Sequence, residues 1–239
     1  MWIPATREEG RLGVVVHFHG AAWLPQQAVA GLAPPTVAAV VNLGAGSGVY
    51  DRTYSDPAAF DALLRGIADA VADVHPGAAI ERVMVAGFSA GHGAIRAILR
   101  EPRHFARVDD VLLLDGMHTS YIPERTVLAL GGALDSTKLV ALTRFAEAAA
   151  RGEKGMLVTH SEIFPGTFAS TTETADHVLR ALGRRRTPVL KWGPRGMQQL
   201  SEVAAGNFLL LGFAGNTAPD HIDHLHAMPE LLKRLPAGR

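Results

Sequence analysis

Ser89 stands in Gly87-Phe88-Ser89-Ala90-Gly91, directly behind the strand-like run Val83-Met84-Val85-Ala86 and ahead of the helical stretch that carries Ile95, Ile98 and Leu99. G-x-S-x-G in a strand–turn–helix context is a nucleophile elbow. A sharp turn lifts the serine hydroxyl above the sheet edge, and the two glycines keep side chains away where strand and helix backbones close on each other. The helix that follows brings the Ala90 N–H and a partial positive charge to the place where an oxyanion would develop. A serine hydroxyl is a weak nucleophile until a neutral imidazole takes its proton, and a carboxylate has to orient that imidazole.

About 70 residues earlier, Val14-Val15-Val16-His17-Phe18 runs into His19-Gly20-Ala21-Ala22. With the elbow, this pattern resembles the α/β-hydrolases, and the resemblance extends from Leu12 to Leu235. In that family the loop after the third strand carries a His-Gly pair and supplies a second oxyanion-hole N–H. Carried onto this chain, the donors are Ala90 and either Ala21 or Ala22, and His19 pins the loop by hydrogen bonds. The family order of serine, acid, histidine places the base in residues 215–226, after the last strand. His221 comes first there, just before the expected final helix, and is the favoured base. His224, one helical turn on, is the alternative, and His226 reads as a surface or packing residue.

The resemblance allows two acids. Asp115 directly follows Val111-Leu112-Leu113-Leu114, the strand after which some family members carry the acid. Glu162 follows 156–160, the next strand, after which most of them do. Asp115 is favoured because a carboxylate at a buried strand end needs a partner, and Glu162 is kept as the alternative. Asp176 reads as a helix-surface charge. Phe88, His118, Trp23 and Tyr50 are expected in the substrate-binding wall, with His92, Met117 and Phe164 as further wall positions.

These side chains need a scaffold. Near-continuous apolar runs at 12–18, 36–43, 82–86, 108–114, 156–160 and 208–212 read as strands buried on both faces of a parallel sheet. Helices are expected between them. Asp56-Pro57 opens one carrying Phe60, Leu63, Leu64, Ile67, Val71 and Val74, and Ser136 opens a second. Ser170-Thr171-Thr172-Glu173 is a capping box for a third, and the last runs from about Asp223 to Leu235. The alternation predicts one α/β domain over 1–239, an α/β-hydrolase fold of about six strands with helices on both faces. The family's first two strands are missing or vestigial, and only a loop and one helix fit between Tyr121 and Lys154, where relatives insert a cap. An open cleft of that kind suits short acyl chains or exposed esters.

Composition narrows the chemistry. The 239 residues include 23 basic and 23 acidic side chains, 11 histidines and no cysteine, which removes disulfides and thiol catalysis. Zero formal net charge argues against a nucleic-acid groove or a polybasic membrane face. No secretory signal is visible in residues 1–9, and no apolar run approaches a membrane span, so a cytoplasmic location is expected. The histidines lack an H-E-x-x-H pattern, so no metal is expected. Leu43-Gly44-Ala45-Gly46-Ser47-Gly48-Val49 fails as a dinucleotide loop: Val49 occupies the third glycine position, and no helix is expected before about Pro57. Arg184-Arg185-Arg186 reads as a solvated turn.

Together these readings predict a serine esterase that needs no cofactor and acts on a small-molecule ester. The same residues also fit a non-catalytic ligand-binding protein of this fold, or an acyltransferase or amidase.

Overall fold

The computed structural model describes residues 1–5 and 10–235; residues 6–9, part of the stretch read above for a targeting signal, lie outside them. Eight strands form one sheet in the order β2-β1-β3-β4-β7-β10-β9-β8. The parallel part is β2 (Thr36–Val41), β1 (Arg11–Phe18), β3 (Ala79–Phe88), β4 (Asp110–Leu114), β7 (Gly155–His160) and β10 (Phe208–Phe213). β9 (Gln198–Ala205) and β8 (Thr187–Trp192) extend it antiparallel. A short ribbon, β5 (Tyr121–Ile122) with β6 (Ala133–Leu134), lies outside the main sheet.

Period-two alternation sends successive residues of each buried strand to opposite faces. Val14, Val16 and Phe18 of β1 join one core, and Val15 joins the other. On the first face pack α2 (Ser47–Tyr54), α3 (Pro57–Val74), α4 (His92–Arg100), α6 (Val140–Ala150) and α7 (Thr171–Ala181), through residues such as Tyr50, Phe60, Ile95, Phe145 and Val178. On the second pack α1 (Trp23–Val29), α8 (Ala218–His226) and α9 (Met228–Leu232), through Leu24, Leu225 and Leu231. A short helix, α5 (Pro102–Arg107), leads from α4 into β4.

The chain leaves β1 toward β2 and then returns to the other side of β1 to form β3. The strand order therefore reverses between β1 and β3, and a crevice opens there at the carboxyl ends of the strands. His19 and Gly20 leave one side of it, and Ser89 the other.

Several expectations are corrected. The sheet has eight strands rather than about six. β8 is mostly exposed and includes Pro188, and β9 mixes buried Val203 and Ala205 with polar residues, so neither is a near-continuous apolar run. The helix expected only from about Pro57 is preceded by α2, whose Tyr50 and Tyr54 are buried. The glycine spacing alone now excludes a dinucleotide loop. The final helix starts at Ala218, not about Asp223, because Thr217 and Asp220 form a capping box with Pro219 in the first turn. The segment from Tyr121 to Lys154 holds the β5–β6 ribbon as well as α6. Arg186 is no solvated turn residue: it pairs with Asp176 at 2.8 Å, bonds the buried His160, and so ties Asp176 into the structure. The N-terminus contributes one antiparallel bridge, Trp2 to Ala38 on the outer edge of β2.

Candidate active site

β3 ends at Phe88, a single turn of 3₁₀-helix covers Ser89–Gly91, and α4 follows. Ser89 takes φ of 47°, a left-handed conformation that costs about 1–2 kcal/mol for a residue with a Cβ. Its surroundings over-determine that turn. A Cβ on Gly91 would stand 2.1 Å from the Phe18 carbonyl oxygen, and one on Gly116 would stand 2.5 Å from that of Ser89. Both glycines therefore let neighbouring backbone clasp the elbow. His92 closes it from the helix side, donating from Nδ1 to the Ser89 carbonyl at 2.8 Å. That bond fixes the tautomer, and burial pushes the His92 imidazole down to about 3, so Nε2 keeps its lone pair.

Asp115 leaves β4 with φ of 42° and turns its carboxylate toward α8. Its Oδ2 accepts from His221 Nδ1 at 2.7 Å, across 106 residues of sequence. Ser161, just past the end of β7, donates its N–H to Oδ1 at 2.9 Å and its hydroxyl to Oδ2 at 2.7 Å. Burial works to raise this carboxyl, but the His221 bond, the nearby His224 and the two Ser161 bonds outweigh it and hold it well below the usual carboxylate range. Asp115 is thus an ionised acceptor whose bond to Nδ1 leaves Nε2 of His221 as the free basic nitrogen. The capping box at Thr217 sets the start of α8 and places His221 in its first turn. The Phe88 ring packs under the imidazole at 4.5 Å between centroids. Ser89, Asp115 and His221 line one cavity of about 300 Å³, with Ile163, Pro165 and Ala218.

The β1 loop faces the elbow across the crevice. His17 is fully buried and bonds the His19 carbonyl through Nε2, and His19 Nδ1 reaches the Tyr50 hydroxyl. Asn42 holds Gly20 on both sides, accepting from its N–H and donating to its carbonyl. The Gly20 N–H is thereby used, whereas the N–H groups of Ala21 and Ala22 lead into the first turn of α1, where helix geometry gives them no partner.

The other expected residues fall as follows. Glu162 is exposed and turns away: its backbone N–H bonds Gly215, and its side chain is not in the cavity. His224 is buried behind Asp115, its Nδ1 on Thr159 Oγ1 at 2.8 Å, so it lacks access to the crevice. Tyr50 is fully buried and supports the loop from behind rather than lining a wall. Phe88 is likewise a floor beneath His221. Trp23 is 55% exposed and packs on His226, outside the cavity that Ser89, Asp115 and His221 line. His118 does line the wall, its Nδ1 donating to the Ala169 carbonyl. Met117 is buried, and His92 lines a second cavity with Ser89.

Sequence reading missed Ser161. Its one signal is position: Leu114 and Thr159 are register partners on adjacent parallel strands, so the residues just past them emerge side by side. Among the described residues no cluster of three or more histidine, aspartate or glutamate side chains could hold a metal ion. Nor is any helix among them long and apolar enough to cross a membrane.

The mostly parallel eight-stranded sheet, helices on both faces and a serine elbow after β3 match an α/β-hydrolase fold. Among solved structures the chain is similar to an S-formylglutathione hydrolase from Agrobacterium tumefaciens, at 14% identity over 98% of this chain and 88% of that one, with a TM-score of 0.49. It is also similar to a puromycin-hydrolyzing peptidase of Mycobacterium tuberculosis at 15% identity and TM-score 0.47; 96% of this chain matches but only 35% of that one, so it spans about a third of it. A type II thioesterase from the yersiniabactin biosynthetic pathway matches at 11% identity and TM-score 0.42, over 98% of this chain and 96% of the other. No protein-family model matches the chain, and no curated protein does.

Proposed function

We propose that this protein is a serine hydrolase that cleaves carboxylic esters through an acyl-enzyme. The observation that carries the reading is the bond between Asp115 and His221, both of which line the cavity that Ser89 also lines. In this reading His221 Nε2 takes the Ser89 proton as Oγ attacks the acyl carbon. The N–H groups of Ala90 and of Ala21 or Ala22 receive the oxyanion. As the tetrahedral intermediate collapses, His221 returns the proton to the leaving oxygen, and the alcohol departs. A water then attacks the acyl-enzyme, giving its proton to His221, and Ser89 is regenerated with release of the acid. The supporting features are the strained turn at Ser89, the ionised acceptor at Asp115, and the uncommitted N–H groups opposite the elbow. No step calls for a cofactor.

Ser89→Ala is expected to abolish turnover of p-nitrophenyl acetate and butyrate, leaving at most about 10⁻³ of the wild-type kcat/KM. Retention of full activity in that variant, with the folded state confirmed by circular dichroism, contradicts the mechanism.

A further inference from the structure

The crevice has two unlike lobes that meet at Ser89, His118 and Phe168. The first holds His221 and is otherwise walled mainly by carbon, from Ile163, Pro165 and Ala218. The second, about 410 Å³, lies between α4, the start of α2 and the segment around Ser120 and Lys138. Its lining includes two cations, Arg96 and Lys138, and no carboxylate.

On the reading proposed above, the chemistry assigns the lobes. His221 has to protonate the leaving oxygen, so the alcohol belongs in the lobe His221 lines. The acyl chain is then directed into the second lobe. Next to Ser89 that lobe presents His92 and His118, both held neutral chiefly by burial, with Nδ1 of each spent on a backbone carbonyl. Their Nε2 lone pairs repel an anion close to the acyl carbon. The cations lie further in. Arg96 follows His92 by one turn on the same face of α4, a rise of ~6 Å away from the elbow. It is 9% exposed; Nε and Nη2 pair with Asp51, which also holds Arg100, and Nη1 has no partner among the described residues. Lys138 sits across the lobe, 2.8 Å from Ser120 Oγ and 3.2 Å from Asp135. Asp135 is also occupied by Thr137 and is not part of the lining. The first turn of α2 has no side-chain cap, and its first residue, Ser47, lies in the same wall, where the positive end of the helix dipole adds to the cations.

We propose that the second lobe binds an acyl chain ending in a carboxylate, so that the preferred substrates are monoesters of short dicarboxylic acids. Arg96 and Lys138 receive the distal carboxylate. An acyl chain of about four to six carbons spans the rise from the elbow to Arg96. This inference rests on the acyl-enzyme reading, and its test separates the two.

The methylumbelliferyl monoester of adipic acid, with its free carboxylate, is compared with the neutral hexanoate ester in kcat/KM, corrected for spontaneous hydrolysis. The expected preference for the charged ester is about tenfold or more, since each charge-assisted hydrogen bond contributes on that order. Lys138→Gln should narrow that ratio and Lys138→Glu should reverse it. Lys138 is partly exposed, so neither change removes a core contact. Raising the ionic strength should also shrink the ratio by screening. Equal cleavage of the two esters, or a ratio untouched by both Lys138 variants, overturns the inference while leaving the hydrolase reading standing. Turnover of neither ester overturns the hydrolase reading, and the inference with it.

Discussion

At the scale of single residues, the site depends on who bonds whom around Asp115. Its two oxygens accept one bond from His221 and two from Ser161, and Glu162 makes none to the imidazole among the described residues. Asp115→Asn is therefore expected to lower kcat by about 10³–10⁴, because the amide no longer holds the base in its working tautomer. Glu162→Gln should change it by less than about twofold, as expected for an exposed surface charge. Steady-state kinetics on one ester compare the two directly. Ser161 acts at one remove: Ser161→Ala removes a single bond to Oδ2, so kcat should fall about tenfold with KM nearly unchanged, and Ser161→Thr should restore it. A rise in KM alongside the fall in kcat, with a lowered melting temperature, would argue for a purely structural role. The positions of Ser89, Asp115 and His221 are legible in the sequence, because each stands at a strand end or a helix start with its own local signal. Ser161, Arg96 and Lys138 are not. Their relevance arises from contacts between segments dozens of residues apart, and an isolated serine or lysine carries no local mark. Aromatic type alone does not tell a wall from a support: Tyr50 and Phe88 are buried, Phe88 under the His221 ring, while the exposed Trp23 packs on His226.

Among the elements, the turn at Ser89 is held by backbone contact as much as by side chains. Gly116, from the turn after β4, approaches the Ser89 backbone so closely that a methyl group has no room. Gly116→Ala should displace the elbow and lower kcat by at least about tenfold, in line with the cost of shifting a catalytic group by a fraction of an ångström. Thermal unfolding measured beside the kinetics distinguishes this from global loss of the fold; unchanged kcat would show that the turn yields without moving Ser89. The six parallel strands can be read from the sequence because burial on both faces makes them near-continuous apolar runs. β9 and β8 cannot, since they form the exposed end of the sheet and gain their identity only by pairing with β10 and with each other. α2 is hidden for a related reason: Gly48 and its polar residues weaken the helical pattern, while Tyr50 and Tyr54 supply its buried face.

At the scale of the whole molecule, histidine burial sets the response to acid. Desolvation is the leading cause that lowers His17 and His160 to about 4 and His92 to about 3. In the unfolded chain the same imidazoles take up protons below about 6.5, so the unfolded state gains protons that the fold refuses. Stability is full above that pH and weakens as pH falls toward 4, by up to about 1.4 kcal/mol per pH unit for each group. Asp115 adds a separate loss only below about pH 4, because its depressed folded value matters only once the unfolded carboxyl begins to protonate. Melting temperatures taken from pH 7.5 down to 5 should therefore fall over an interval in which Asp115 stays ionised; a flat profile over that interval would contradict buried neutral histidines. With no cysteine in the chain, histidines are the main side chains that titrate in that pH range once the chain unfolds, and His17 and His92 serve the frame around the elbow.

Whether Ser89 is the nucleophile of a site assembled by Asp115 and His221 can be read by intact-mass spectrometry after treatment with a fluorophosphonate. A single adduct is expected, mapped by peptide sequencing to Ser89, lost in Ser89→Ala and formed much more slowly in Asp115→Asn. Absence of labelling in the folded wild-type protein, or an adduct on another residue, would contradict that role for Ser89.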